Sequence, residues 1–383
     1  MPHPPDTQHD AVPFGSNAVR LSPGEWIVAL VLIAAVLLAL PGAWQRLEPL
    51  DADPDGRLPY RLANDYGAFG RIARAAAGRG DTLVLGDSVV WGHYVRPAET
   101  LSHYLSAAAG GGGGAGGGRR FANLGLDGIH PAAMAGLVEY YAGAVRDRDV
   151  VLHCNLLWMS SERHDLATRK EFAFNHPRLV PQFVPWIPCY RESISRRLAI
   201  AIGRRLPFCA WGSHMQAAYW ENLDLPSWTL KYPYGWPIRA EGLVLASPDE
   251  PPSPPPDARP WTEKEIAKFA PAWVDLETSI QWRLFCRTVE VLRGRGNRVF
   301  VVVGPFNEHM LETASLETYK KRTADIQAWL RAQGVPCMVP DPLPSDLYAD
   351  ASHPLAPGYR MLAERLAADE AFRRFVAREG DAR

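Results

Sequence analysis

The feature that most constrains this chain is an uninterrupted apolar run close to its amino terminus. Residues 26–40 read WIVALVLIAAVLLAL, and residues 41–44 (PGAW) continue the run. About 19 residues of helix span roughly 28 Å, close to the thickness of the hydrocarbon core of a bilayer. Trp26 and Trp44 would then lie at the two interfaces, where indole rings are favoured. The run therefore predicts a transmembrane helix over residues 25–44.

Two other interpretations of this run stay open. A buried core helix is disfavoured because no polar face interrupts the apolar residues. A cleaved signal peptide would have a short basic start, whereas about 25 non-basic residues precede this run. The flanking arginines give little guidance on orientation, because Arg20 precedes the run while Arg46, Arg57 and Arg61 follow it.

The remainder of the chain predicts one globular domain on a tether. We expect residues 1–24 to form a disordered tail, 45–61 a tether and 62–383 the domain. Hydrophobic residues make up 47% of the chain, which is ordinary for a folded protein. With 41 Lys and Arg against 42 Asp and Glu, the net charge of −1 offers no basic surface typical of nucleic-acid binding.

Five short apolar runs predict the central strands of a parallel sheet, because each is apolar on both faces. They are residues 82–86, 121–125, 150–154, 298–304 and 335–339. Helical patterns occupy about 97–109, 131–146, 276–294, 308–333 and 357–378. This alternation predicts a doubly wound α/β sheet covered by helices.

Two stretches interrupt the alternation. Residues 107–118 (AAAGGGGGAGGG) predict a flexible surface loop and lack the spacing of a phosphate-binding loop. Residues 156–275 lie between the third and fourth strands and are far longer than an ordinary crossover. They contain eight tryptophans and a proline-rich tract at 248–260, and we interpret them as an inserted cap or subdomain.

The cysteines and histidines give no sign of a metal site. The cysteines (Cys154, Cys189, Cys209, Cys286 and Cys337) are odd in number and lack CxxC spacing, although one disulfide remains possible. Of the eleven histidines, His93, His130, His153 and His164 are candidate ligands, but they are spread over several loops without HxH or HExxH spacing. We therefore expect neither a metal nor a cofactor.

Two motifs carry residue types suited to nucleophilic catalysis. Gly86-Asp87-Ser88 ends the first predicted strand, where open α/β sheets place their sites. Asp350 precedes His353 by three residues, between the last strand and the last helix. A carboxylate at this spacing can accept the imidazole Nδ1–H and leave Nε2 to take a serine proton. Each motif alone is weak, and Asp350 can also be read as a helix cap.

Together the two motifs resemble the SGNH/GDSL hydrolase superfamily. The resemblance rests on GDSVVWG at 86–92 and DASHPLAPGY at 350–359, and covers about 80–155 and 296–378. It implies a three-layer α/β/α, flavodoxin-like parallel sheet, ester hydrolysis or acyl transfer, and no metal. By this resemblance Ser88 is the nucleophile, His353 the general base and Asp350 its orienting acid.

The resemblance also implies two donors that would hold an oxyanion. The family's glycine follows the second strand in an N-x-x-x-x-G pattern, which Asn123 and Gly128 match, with Gly125 as a weaker alternative. The family's asparagine lies in a GxND-type turn after the third strand. This chain departs there, since it reads HCNLLW with Asn155 as the nearby asparagine.

After the fourth strand, Asn307 and Glu308 either contact substrate or cap the next helix, and we favour capping.

These features predict a single-pass protein of the inner membrane with an extracytoplasmic serine esterase or O-acyltransferase domain. The expected substrate is an acyl ester, most simply an acetyl ester, of a cell-envelope carbohydrate or related polyol. The alternative is a non-catalytic envelope-assembly or carbohydrate-binding protein on the same scaffold. The expected contacts are therefore this substrate and the membrane, without nucleic acid. No protein partner is predicted.

Overall fold

A computed structural model describes residues 21–48, 57–110, 118–237 and 255–377. The predicted tail up to residue 20, residues 49–56 of the tether, the glycine tract at 111–117 and the proline tract up to 254 lie outside the described residues. The chain divides into two compact units, residues 1–47 and 48–383. Each unit is described by itself.

The described part of the first unit is one long apolar helix, α1 (Pro23–Leu47). Its 25 residues include a window of mean hydropathy 2.6, and by length and composition it can cross a membrane. Most of its apolar side chains are exposed, as Leu38 is at 79%, which a soluble core helix would not allow. The helix is compatible with a single-pass anchor, and a signal sequence would pass the same test.

The second unit is built on a five-stranded sheet in which every pairing is parallel. The strands are β1 (Thr82–Gly86), β2 (Phe121–Gly125), β3 (Asp149–Cys154), β4 (Arg298–Val303) and β5 (Cys337–Met338). Their order across the sheet is β2-β1-β3-β4-β5. The chain therefore adds strands outwards in both directions from β1 and β3. The carboxyl end of β1 lies at this switch in direction, one strand in from the edge strand β2.

Helices cover both faces of this sheet. The helices of this unit, not all of which contact the sheet, are α2 (Tyr66–Arg79), α3 (Ser88–Trp91), α4 (Leu101–Ala108), α5 (Pro131–Tyr140), α6 (Ile194–Gly203), α7 (Pro207–Tyr219), α8 (Leu225–Lys231), α9 (Ile280–Gly294), α10 (Thr313–Ala332), α11 (Ala356–Ala368) and α12 (Glu370–Val376). Leu83 and Leu85 of β1 pack into one core with α2, α5, α9 and α10, while Val84 packs into a second core with α4, α11 and α12. Alternate side chains of a strand face opposite sides of a sheet, so each strand is buried on both faces.

The prediction of a parallel α/β sheet is confirmed, with element ends that differ by a few residues. The helix predicted at 357–378 is two helices, because Asp369 has an extended backbone and its side chain accepts the Phe372 N–H to cap α12. The 156–275 segment contains α6, α7 and α8. All five cysteines are free thiols, so the disulfide left open by the sequence is not formed.

Candidate active site

The turn after β1 holds Ser88 at the first position of α3. Asp87 caps this short helix by accepting the Val89 N–H at 3.0 Å. The turn packs very closely on β2, since a Cβ on Gly125 would lie 2.2 Å from the Trp91 nitrogen. Only glycine allows this approach. The packing fixes Ser88, which is half-buried, at the carboxyl edge of the sheet.

The loop before α11 folds around the Asp350 carboxylate. Asp350 Oδ1 accepts the backbone N–H groups of Ser352 (2.9 Å) and His353 (3.0 Å). Asn307, fully buried after β4, donates its side-chain amide to the Asp350 carbonyl at 3.2 Å. It makes no side-chain cap, so our preference for capping at this residue is wrong. Asn307 instead braces the loop, because its amide reaches the Asp350 carbonyl rather than the next helix.

The structure brings Ser88 and His353 together from positions 265 residues apart. His353 Nε2 lies 2.8 Å from Ser88 Oγ. On the other side of the ring, Nδ1 lies 2.8 and 2.9 Å from the two Asp350 carboxylate oxygens. Tyr359 of α11 donates its hydroxyl to the Val89 carbonyl at 2.6 Å, so a second contact ties the two motifs together. The three predicted residues therefore form a continuous hydrogen-bonded chain.

The charge of Asp350 determines which atoms of His353 and Ser88 carry protons. Burial would raise the pKa of Asp350, but the His353 ring and two backbone N–H groups lower it well below its usual value. An ionised carboxylate only accepts, so the His353 proton lies on Nδ1 and Nε2 is free to accept from Ser88. Burial would lower the pKa of His353, and the Asp350 charge raises it above its usual value. The histidine is thereby made a stronger base.

A buried carboxylate, Asp87, connects three side chains next to Ser88. It accepts hydrogen bonds from His153 Nδ1 (3.1 Å), Asn155 Nδ2 (2.8 Å) and Trp158 Nε1 (2.8 Å). Burial would raise the pKa of Asp87, but the charge of His153 and these donors lower it to about 2. One N–H of the predicted oxyanion residue Asn155 is therefore committed to Asp87. The prediction for Asn155 depends on the second N–H of the same amide.

The Ser88 and Gly128 N–H groups are the predicted backbone donors. Gly125 is unsuitable, because its N–H is donated to the Asn123 side chain at 2.9 Å. Among the described residues, neither the Ser88 N–H nor the Gly128 N–H has a hydrogen-bond partner. Gly128 has a positive φ of 69°, and a Cβ there would lie 2.2 Å from Asn175 Nδ2. Both N–H groups therefore remain free to donate.

Several side chains beside Ser88, His353 and Asp350 carry no local sequence signal. Tyr94 donates to Asp350 Oδ2 at 3.0 Å. His93 Nδ1 lies 2.7 Å from Asp127 Oδ1, and the His93 and His353 rings are 5.6 Å apart. Asn175 comes from the 156–275 segment. These residues give the site a polar rim that only the folded chain reveals.

Two comparisons with known proteins gave no match for this chain. No family model matches it, and no curated protein is significantly similar to it. A fold alone does not assign an activity, so the function of this protein is inferred from the geometry of these side chains.

Replacing the two candidate side-chain donors separately distinguishes their roles. We expect Asn155→Ala to lower kcat by about 10²–10³, the usual loss for one oxyanion donor. Asn175→Ala is the matched control and should cost less than about tenfold, because an exposed amide without a described partner is not preorganised. Both are measured on a chromogenic acetyl ester. A larger loss of kcat for Asn175→Ala than for Asn155→Ala would make Asn175, in the 156–275 segment, the side-chain donor.

Proposed function

We propose that this chain is a membrane-anchored serine esterase or O-acyltransferase of the SGNH/GDSL superfamily. One observation carries the proposal: Ser88 Oγ lies 2.8 Å from His353 Nε2, whose Nδ1 is held by Asp350. A nucleophile, a base and a group that orients the base are the parts that acyl transfer through a serine requires. The proposal predicts activity on acyl esters.

The topology supports the same family. The strand order β2-β1-β3-β4-β5 is that of flavodoxin-like sheets, in which sites form at the carboxyl ends of the central strands. Ser88 follows β1, Asn155 follows β3, and the loop carrying Asp350 and His353 is braced by Asn307 after β4. The 156–275 segment then represents an insertion that adds to the rim of the site.

In the proposed first step, Ser88 Oγ attacks the acyl carbonyl as its proton moves to His353 Nε2. The carbonyl π electrons shift to its oxygen, and the Ser88 and Gly128 N–H groups stabilise that charge. Asp350 stabilises the protonated imidazole without taking its proton. The tetrahedral intermediate collapses, the bond to the leaving alcohol breaks, and His353 gives its proton to the departing oxygen. Ser88 now carries the acyl group.

The second step transfers this acyl group to an oxygen nucleophile. His353 takes a proton from water in hydrolysis, or from a sugar or polyol hydroxyl in transfer, while that oxygen attacks the acyl carbon. Ser88 Oγ leaves and recovers its proton from His353. His93 and Asp127 lie beside this position and supply polar groups to hold a hydroxylated acceptor. We accordingly propose an acylated envelope carbohydrate as substrate and an extracytoplasmic position for the domain.

A fluorophosphonate probe tests the proposal on the full chain in detergent. Ser88 should displace fluoride from phosphorus and give one covalent adduct, located by peptide mass spectrometry. Ser88→Ala should abolish labelling, while Ser195→Ala, an exposed serine on α6, should leave labelling unchanged. Folded protein that stays unlabelled beside a reactive control esterase would exclude this chemistry and favour the non-catalytic alternative.

A further inference from the structure

The exposed apolar side chains of the second unit are concentrated in one stretch of sequence. Among the described residues of this unit, twelve large apolar side chains are exposed, and eleven of them lie between residues 183 and 236. Scattered single apolar residues on a surface are normal, but such a concentration marks a contact surface. The stretch lies wholly within the 156–275 segment.

The best-defined part of this surface is an apolar stripe on α6. Ile194, Leu198 and Ile202 recur every four residues on one side of the helix and are 73%, 47% and 58% exposed. Next to it, Ile202 and Leu206 line an open groove of about 810 Å³ together with Phe183 and Val184. We define the α6 face as these side chains with Trp186: Phe183, Val184, Trp186, Ile194, Leu198, Ile202 and Leu206.

The charges around the α6 face are mostly positive. Exposed arginines lie at the two ends of the stripe and on the far side of the groove, and two exposed glutamates accompany them. The arginines are Arg191, Arg205, Arg283 and Arg287, and the glutamates are Glu139 and Glu192. Trp186 is itself held against the Arg197 guanidinium at 4.7 Å. Apolar and aromatic side chains bordered by arginine are typical of surfaces that enter the headgroup region of an anionic bilayer.

The link between α1 and the second unit also points to a bilayer. Glu48 follows the last residue of α1 directly in the sequence and is fully buried in the second unit. It lies 3.0 Å from His214 Nε2 of α7, and only three residues separate α6 from α7. The second unit therefore begins, directly after α1 in the sequence, with a residue that contacts the helix following α6.

We propose that the α6 face lies in the headgroup region of the membrane, against anionic phospholipid. This inference rests on the proposed anchor but not on the proposed catalysis. A bilayer explains the clustering, the positive border and the chain connection together. A second copy of the chain or another protein would explain the apolar clustering alone.

Photocrosslinking in nanodiscs tests this contact on the full chain. A benzophenone amino acid is introduced as Ile202→p-benzoylphenylalanine in discs with alkyne-tagged lipid, either phosphatidylglycerol or phosphatidylcholine. We expect lipid adducts well above those of the matched control Lys320→p-benzoylphenylalanine, an exposed site on α10, and more adduct with phosphatidylglycerol. Arg205→Gln should lower the ratio of bound to free α6 face about fivefold on the anionic lipid.

Val36→p-benzoylphenylalanine in α1 distinguishes failure of the proposed lipid contact from failure of the proposed anchor. If position 36 labels lipid while position 202 stays at the Lys320 level, the α6 face does not touch the membrane and the anchor stands. If position 36 gives no lipid adduct, the anchor fails and this inference fails with it. Adducts of position 202 with protein instead of lipid would make the face a protein interface. Circular dichroism of each variant verifies folding.

Discussion

Asp350→Asn is expected to lower kcat by about 10³–10⁴ while leaving the fold intact. Both Asp350 oxygens lie within 2.9 Å of His353 Nδ1 and make that nitrogen the proton carrier. An asparagine amide can present its N–H₂ to Nδ1, which forces the imidazole proton onto Nε2. Ser88 would then face a donor instead of a base, so its proton has nowhere to go.

The pH profile provides a second measurement for the same substitution. Activity requires neutral His353, and the Asp350 charge raises the pKa of His353 above its usual 6.5 despite the opposing effect of burial. In the wild type, kcat/KM should therefore fall as pH drops through a value above 6.5. In Asp350→Asn the remaining activity should persist to lower pH, because the charge that raised the histidine pKa is gone.

The matched control is Asp346→Asn, an exposed carboxylate on the same loop with no contact to the histidine. It should keep the wild-type kcat and the wild-type fall of kcat/KM at low pH. A loss below about tenfold for Asp350→Asn would contradict the assigned role, since orienting carboxylates contribute far more than this.

The parts of the site that sequence could predict are those written into short, local patterns. Ser88 was predictable because an apolar run ends one residue before Asp87, and His353 because Asp350 precedes it within a single turn of chain. Gly128 was predicted from the family resemblance, because Asn123 and Gly128 match the N-x-x-x-x-G pattern that follows the second strand. For Ser88, a strand end places the residue at the carboxyl edge of the sheet, and the strand is visible from its own composition.

The remaining contacts depend on how distant segments pack. Asn307 reaches the Asp350 loop from β4, and His153 reaches Asp87 from β3, across the sheet. Asn175 reaches Gly128 from the 156–275 segment. No local spacing encodes such pairs, because the partner is chosen by strand order and by the path of a long connection. Asn155 shows the same limit, since its position was predictable but its bond to Asp87 was not.

A buried charge cluster at the start of the second unit should control its stability. His214 of α7 lies with Nδ1 2.6 Å from Asp65 Oδ2 and Nε2 3.0 Å from Glu48 Oε1. Glu48 also contacts Arg71 of α2 and Tyr219 of α7. Both carboxylates are fully buried, so they need this imidazole as a cationic partner.

We expect His214→Ala to destabilise the second unit by about 3–5 kcal/mol, the usual cost of leaving buried charges without their partner. Urea unfolding of the full chain in detergent, followed by tryptophan fluorescence, measures the loss. His103→Ala on α4, a half-buried histidine outside this cluster, is the control and should cost much less. A change below about 1 kcal/mol would mean that the arginine alone satisfies these carboxylates.

The pH dependence of this loss follows from the two pKa shifts. Burial would lower the pKa of His214, but Asp65 and Glu48 raise it from 6.5 to about 9. A raised histidine pKa stabilises the fold fully below pH 6.5, and this contribution disappears as pH rises through about 9. Burial would raise the pKa of Glu48, but His214, Tyr219 and Arg71 lower it from 4.5 to about 2, so its contribution is complete above pH 4.5 and is lost towards pH 2. The stability difference between wild type and His214→Ala should therefore be largest between pH 4.5 and 6.5 and shrink on either side. A difference that does not vary with pH would show that His214 acts through packing and not through its charge.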